Sequence, residues 1–200
     1  MLDCRGLACP QPVLRVKELL EKEAPQRVEA LVDNAAASQN VSRFLTSQGY
    51  RAEATPQGAD FLVSGQRDPS LAVTAAPPAE TMTCASGSEG RILVMVRAAS
   101  LGRGDDGLGA GLMKNFLLTL KEMGPSLWRL VFVNGGVKLC CAGSESLPAL
   151  QELAESGVSI LVCGTCLNHF GLLGQKQVGE TTNMLDIVTS LQVAGKVITV

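Results

Sequence analysis

Seven cysteines and a single histidine are the residues of this 200-residue chain best suited to nucleophilic or metal chemistry. Cys9 stands in Cys9-Pro10-Gln11-Pro12, where two prolines mark the opening of a helix. Proline is tolerated in a first helical turn because the N–H it lacks would be unpaired there. The spacing therefore places Cys9 at a helix N-terminus, among unsatisfied N–H groups and the positive end of the dipole. Such a setting favours the nucleophilic thiolate. The plainer alternative is a small buried hydrophobe in a loop.

A second group gathers later in the chain. Cys163-Gly164-Thr165-Cys166 follows the apolar run Val158–Val162, and Cys140-Cys141 follows Asn134-Gly135-Gly136-Val137-Lys138 just past another such run. Sites in open parallel sheets collect outside the carboxyl ends of strands, which makes these four thiols and His169 expected neighbours. Zinc is disfavoured, because adjacent cysteines are an unusual ligand pair and a second C-x-x-C is missing. A thioredoxin-like dithiol would begin a helix, whereas Asn168 to Gly174 read as loop. Persulfide relay, which benefits from a resolving neighbour, suits Cys163 and Cys166 best. Cys140 and Cys141 also read as structural thiols, and His169 as either a thiolate partner or a loop residue satisfied by backbone.

Gly102-Arg103-Gly104-Asp105-Asp106-Gly107 fits G-x-G-x-x-G after a predicted strand. Two aspartates would meet a pyrophosphate there, and Glu122 lies within a helix rather than at the end of a second strand. The aspartates read as helix caps instead of a dinucleotide site, and no cofactor is expected.

The elements that must hold these residues divide in two. Residues 67–90 are rich in proline, serine and small residues and read as a linker containing Cys84. Residues 1–66 read β-α-β-α-β-β: a strand at Leu2–Arg5, a helix to Glu23 with Val13, Val16 and Leu20 inward, and a strand at Arg27–Asp33. A helix over Ala35–Gln48 and a hairpin around Pro56-Gln57-Gly58-Ala59 complete it. Two helices on one face of a four-stranded sheet is the economical packing. Residues 91–200 alternate apolar strands (Arg91–Val96, Leu130–Val133, Val158–Cys163, Lys196–Val200) with helices (Leu108–Met123, Leu147–Ser156, Thr182–Leu191). That pattern predicts a mainly parallel sheet with helices on both sides. The fold class is thus α/β, a small two-layer sandwich followed by a three-layer domain.

Composition narrows the function. A net charge of −2 gives no basic footprint for nucleic acid. Apolar runs such as Ile92–Val96 fall far short of the roughly 20 residues that cross a bilayer. Met1-Leu2-Asp3-Cys4-Arg5 is not followed by the apolar stretch of a secretory signal, so a cytoplasmic protein with reduced thiols is expected.

Asp3-Cys4-Arg5-Gly6-Leu7-Ala8-Cys9-Pro10-Gln11-Pro12-Val13 resembles the signature of the TusA/SirA sulfur-carrier family, an Arg-Gly turn followed by Cys-Pro-x-Pro. The resemblance implies that Cys9 accepts sulfane sulfur as a persulfide and passes it on, with Pro10 and Pro12 supporting the helix start. Cys4 lies outside the Cys-Pro-x-Pro core and receives no role. The Gly-Arg-Gly-Asp-Asp start, Asn134-Gly135-Gly136-Val137-Lys138-Leu139, Cys163-Gly164-Thr165-Cys166-Leu167 and Gly179-Glu180-Thr181-Thr182-Asn183-Met184 are similar to the DsrE-like half of YedF proteins. In those a TusA-like domain precedes a DsrE-like one. The label of that family, sulfurtransferase-like selenium metabolism protein, implies sulfur or selenium as cargo. Implied partners are a persulfide donor such as a cysteine desulfurase or another carrier, a selenium-pathway protein, and further copies of the chain.

The expectation is a carrier and transferase using Cys9, Cys163 and Cys166, with the tether raising the effective concentration of one thiol near another to about millimolar. A regulatory docking protein and a thiol-redox or metal-binding protein centred on Cys163 and Cys166 remain the alternatives.

Overall fold

The computed structural model describes residues 1–71 and 90–200. Cys84 and most of the expected linker lie outside the described residues. The chain divides into two compact units, Met1–Cys84 and Ala85–Val200.

In the first unit β1 (Leu2–Asp3), α1 (Gln11–Glu23), β2 (Arg27–Val32), α2 (Ala35–Ser47), β3 (Tyr50–Gln57) and β4 (Asp60–Arg67) follow in chain order. The sheet order is β1-β2-β4-β3, with β1 parallel to β2 and the other pairs antiparallel. Val28, Ala30 and Val32 alternate inward on β2 and are essentially fully buried, as a strand covered on one side requires. Val13 and Val16 of α1 and Val41, Phe44 and Leu45 of α2 supply the covering layer. β3 lies at the sheet edge, which is where Pro56 can be tolerated. β4 runs through Arg67, and Arg51 pairs with Asp68 at 2.8 Å, so regular structure enters the first residues of the expected linker.

The second unit carries β5 (Ile92–Val96), α3 (Asp106–Thr119), β6 (Leu127–Phe132), α4 (Leu147–Glu155), β7 (Ser159–Cys163), α5 (Gly164–His169), β8 (Glu180–Thr182), α6 (Met184–Val193) and β9 (Lys196–Thr199). All four strand pairings are parallel, in the order β8-β7-β6-β5-β9. The chain steps from β5 to β8 in one direction, then returns through α6 to lay β9 beside β5. Right-handed crossovers put α3 and α4 on one face and, with the direction reversed, α6 on the other. Ion pairs of Lys114 with Glu145 and Lys121 with Glu152 join the α3 and α4 regions, while Arg129 on β6 donates to Ser190 on α6 at 2.6 Å.

Three local readings change. The helix expected to reach Met123 ends at Thr119 and passes into a 3-10 segment, Leu120–Ser126, broken by Gly124 at φ +54 before Pro125. β8 was absent from the expected elements, because three residues with two threonines carry no apolar run. The loop expected over Asn168–Gly174 begins two residues later: α5 starts at Gly164, with Cys163 as its N-cap, and runs to His169. This C-x-x-C therefore does open a short helix. Asp105 caps α3 by accepting from the Leu108 N–H at 2.7 Å, and Asp106 occupies its first turn.

The carboxyl ends of β5 and β6 meet at one close contact. A Cβ on Gly136 would stand 2.4 Å from the Val96 carbonyl oxygen, whereas one on Gly135 would meet nothing nearer than 3.7 Å. Gly136→Ala is therefore expected to destabilise the second unit by about 1–3 kcal/mol, the usual cost of overpacking, with Gly135→Ala near neutral. Trp128 is the only tryptophan. Its fluorescence in urea reads this unit's transition, and equal midpoints for the two variants would contradict the contact.

Candidate functional site

The first thiol sits in the loop from β1 to α1. Cys9 is exposed, its peptide bond to Pro10 is cis, and the helix begins at Gln11. The helix start is poorer in donors than the sequence suggests. The Gln11 N–H is taken by the Ala8 carbonyl at 2.8 Å, and Pro12 has no N–H. No side chain caps the helix. What holds Cys9 out is instead the tie between its loop and the sheet.

That tie is made by the chain before it. The Cys4 N–H extends the β1–β2 pairing by donating to Leu31 at 2.8 Å. Gly6 turns the chain at φ +70, a left-handed conformation that favours glycine, and its N–H donates to Asp33 Oδ2 at 2.6 Å. Asp33 follows directly on β2, so the carboxyl ends of two parallel neighbours anchor the loop together. Arg5 lays its guanidinium on Asp3 through Nε at 3.0 Å and Nη2 at 2.7 Å and reaches Asp60 at 3.4 Å. The Arg5 hydrogen bonds hold the Asp3 carboxyl down at about 2, and the Gly6 N–H holds Asp33 below its ordinary value. Cys4 is fully buried, and burial pushes its thiol up.

The thiols of the second unit separate by environment. Cys163 ends β7 inside the core, 4% exposed. Cys166, in the first turn of α5, is half-buried, and its Sγ accepts the Asn134 N–H at 3.1 Å. Asn134 opens a 3-10 segment, Asn134–Cys140, after β6 and holds a left-handed φ of +49. Cys140 and Cys141 are at the far end of that segment and are buried. Burial raises both thiols above the ordinary 9.0, with Lys176 pulling in the other direction. Cys141 Sγ donates to the Val137 carbonyl, and strand-like bonds from Ala142 to Gln175 and from Gln177 to Cys140 enclose the pair. His169 is exposed with its ring edge-on to Phe170 at 5.0 Å, and no hydrogen bond joins it to a described thiol.

The expected gathering of four thiols and a histidine thus resolves into one accessible sulfur beside a backbone donor. Among the described residues, no three His, Cys, Asp or Glu side chains converge as a metal site. The Gly179–Met184 motif is structural at its end. Asn183 caps α6 by accepting from Leu185 and Asp186 and donates back to the Asp186 carboxylate, a reciprocal cap. Asp33 and the Asn134 N–H are the site groups that sequence reasoning missed. The first acts 27 residues away from Gly6, and the second is backbone, which leaves no mark in residue type.

Comparison with known proteins places the first unit. Residues 1–64, which lie within this unit, match the family model described as Sulfurtransferase TusA. No curated protein matches the chain. Among solved structures, the YchN protein of E. coli is 18% identical over 55% of this chain and 98% of its own, with a TM-score of 0.45. A SirA-like protein from Desulfitobacterium hafniense is 28% identical over 32% of this chain and 92% of its own, with a TM-score of 0.30. A protein of unknown function from Methanobacterium thermoautotrophicum is 19% identical over 55% of this chain and 98% of its own, with a TM-score of 0.42. Among the described residues no helix is long and apolar enough to cross a membrane.

The Gly6–Asp33 bond makes the Cys9 loop sensitive to acid. A carboxylate held below its unfolded value contributes stability above that value and loses it as pH falls through the lowered one. The Gly6 amide proton resonance is expected to titrate with a midpoint below the ordinary 3.8, and Asp33→Asn should abolish that titration. A midpoint at or above 3.8 in the wild-type protein would contradict the anchor.

Proposed function

We propose that the chain carries sulfane sulfur, or selenium by the same chemistry, as a persulfide on Cys9 and relays it through Cys166. The observation that carries this reading is the position of Cys9. It is an exposed thiol at a proline-marked helix start, inside the residues that match Sulfurtransferase TusA. In the first step the Cys9 thiolate attacks the outer sulfur of a donor persulfide. The donor S–S bond breaks, the donor sulfur leaves as thiolate, and a new S–S bond forms on Cys9. One persulfide replaces another, so neither oxidant nor reductant is consumed. A general base is not required when the attacking group is already a thiolate.

Of the two expected acceptors in the second unit, Cys166 is the accessible one. Cys163 lies in the core, and its attack on a persulfide requires the β7–α5 junction to open. On this reading the second unit is DsrE-like and the chain a YedF-like fusion, acting in the cytoplasm on a persulfide donor such as a cysteine desulfurase. A selenium-pathway protein and further copies of the chain are the other partners that resemblance implies.

A second reading is favoured by one observation, that Cys163-Gly164-Thr165-Cys166 does open a helix, as the dithiol of a redox protein would. Intact-mass measurement after incubation with a cysteine desulfurase and cysteine separates the two. The carrier reading expects a gain of one sulfur on the wild-type protein, its loss in Cys9→Ser, and its retention on Cys9 in Cys166→Ser. No gain in the wild-type protein with active desulfurase, together with a Cys163–Cys166 disulfide that cycles with added thiol, would replace it with the redox reading.

A further inference from the structure

Once sulfur rests on Cys166, the relay needs that sulfur to leave again, and the surroundings of Sγ bear on the second half of the transfer. The Asn134 N–H approaches Sγ to 3.1 Å, a separation within the range of N–H···O bonds although sulfur is the larger atom. A donor this close interacts weakly with a neutral thiol and strongly with a charged sulfur. The donor is also held in place rather than free to turn. Asn134 sits at φ +49 directly after Val133, whose N–H is bonded to the Val96 carbonyl at 3.0 Å. Two residues on, Gly136 lies against that same carbonyl with no space for a Cβ and donates back to Val133 at 3.0 Å. The turn is therefore fixed at the carboxyl ends of β5 and β6 on both sides of the donor.

Resting on the carrier reading above, we propose that the Asn134 backbone N–H is a positioning group for sulfur release, stabilising the charge that returns to Cys166 Sγ as the outer sulfur departs. In that step an acceptor thiolate attacks the outer sulfur of the Cys166 persulfide. The Sγ–S bond breaks with its electron pair remaining on Sγ, and the outer sulfur, keeping its proton, bonds to the acceptor. Sulfur departs faster as the leaving thiolate is better stabilised. The geometry is that of an oxyanion hole with sulfur in place of oxygen: a fixed N–H aimed at the atom where charge develops. It makes Cys166 a donor that passes sulfur on to an external thiolate rather than a store.

The test replaces the Asn134 N–H by an ester oxygen, using the α-hydroxy analogue of asparagine in the full-length Cys9→Ser chain. Cys166 is loaded chemically with polysulfide, loading at Cys166 is verified by peptide mass, and release is read as thiocyanate formed on adding cyanide. Cyanide attacks the outer sulfur and leaves charge on Sγ as an acceptor thiolate does. Release is expected to slow about tenfold, less than the 10²–10³ lost with a buried oxyanion donor because this site is partly open to water. The same ester at Gly135 should leave the rate unchanged, with Trp128 fluorescence matching in all forms. Normal loading with an unchanged rate in the 134 ester overturns this inference alone. Failure of Cys166 to load in the unmodified chain overturns the relay reading and this inference together. If the ester chain does not fold, the wild-type chain still decides the matter: the Asn134 amide resonance should move on loading and return on release, and a fixed resonance in loaded protein overturns the proposal.

Discussion

A carbonyl oxygen on Val96 occupies the space where any residue but glycine at position 136 would place its Cβ. Around that contact the carboxyl edge of the parallel sheet is organised. It lets the chain leaving β6 fold straight back over the end of β5, which in turn aims the Asn134 N–H at the first turn of α5. Had the chain left β6 in a wider loop, the donor and Cys166 would belong to unrelated surfaces. Topology supplies the rest. Parallel strands bring their carboxyl ends to one edge, so the outgoing segments of β5, β6 and β7 are neighbours without being close in sequence.

The first unit reaches a comparable end by other means. Its thiol stands before a helix, yet the helix contributes little donor capacity, since one of its leading residues is proline and another N–H is already taken by Ala8. Position comes from the sheet. Asp33 at the end of β2 grips Gly6, and Arg5 folds back over Asp3. Exposed ion pairs of that kind contribute little to stability, and their consequence here is geometric: they define the loop from which Cys9 projects.

Burial sorts the remaining cysteines. Cys4, Cys140 and Cys141 are enclosed, and the cost of ionising a thiol away from water pushes each of them up. Thiols so held behave as small apolar groups. Cys9 and Cys166 are the two described cysteines outside the buried class, one in each unit. That distribution follows from packing within each unit.

Much of this could be read along the chain. The alternation in β2, the stripe of α1, the apolar runs of β5, β6 and β7 and the capping aspartate of α3 are local patterns, and local patterns survive in a linear string because they follow the 2.0 and 3.6 residue periods of the backbone. Cys9 was visible for a related reason, since two prolines ahead of an amphipathic stretch mark a helix start locally. β8 and the first turn of α5 were not visible, being too short to establish a period. Nor could spacing tell which of Cys140, Cys141, Cys163 and Cys166 reaches the surface. That outcome depends on which strands become neighbours and on how closely Gly136 approaches Val96, relations between residues 40 apart in the chain. Residue types announce which sulfur atoms exist and where helices begin. Exposure and the direction of a backbone N–H arise only when the sheet closes, because both are properties of what lies across from a residue rather than beside it.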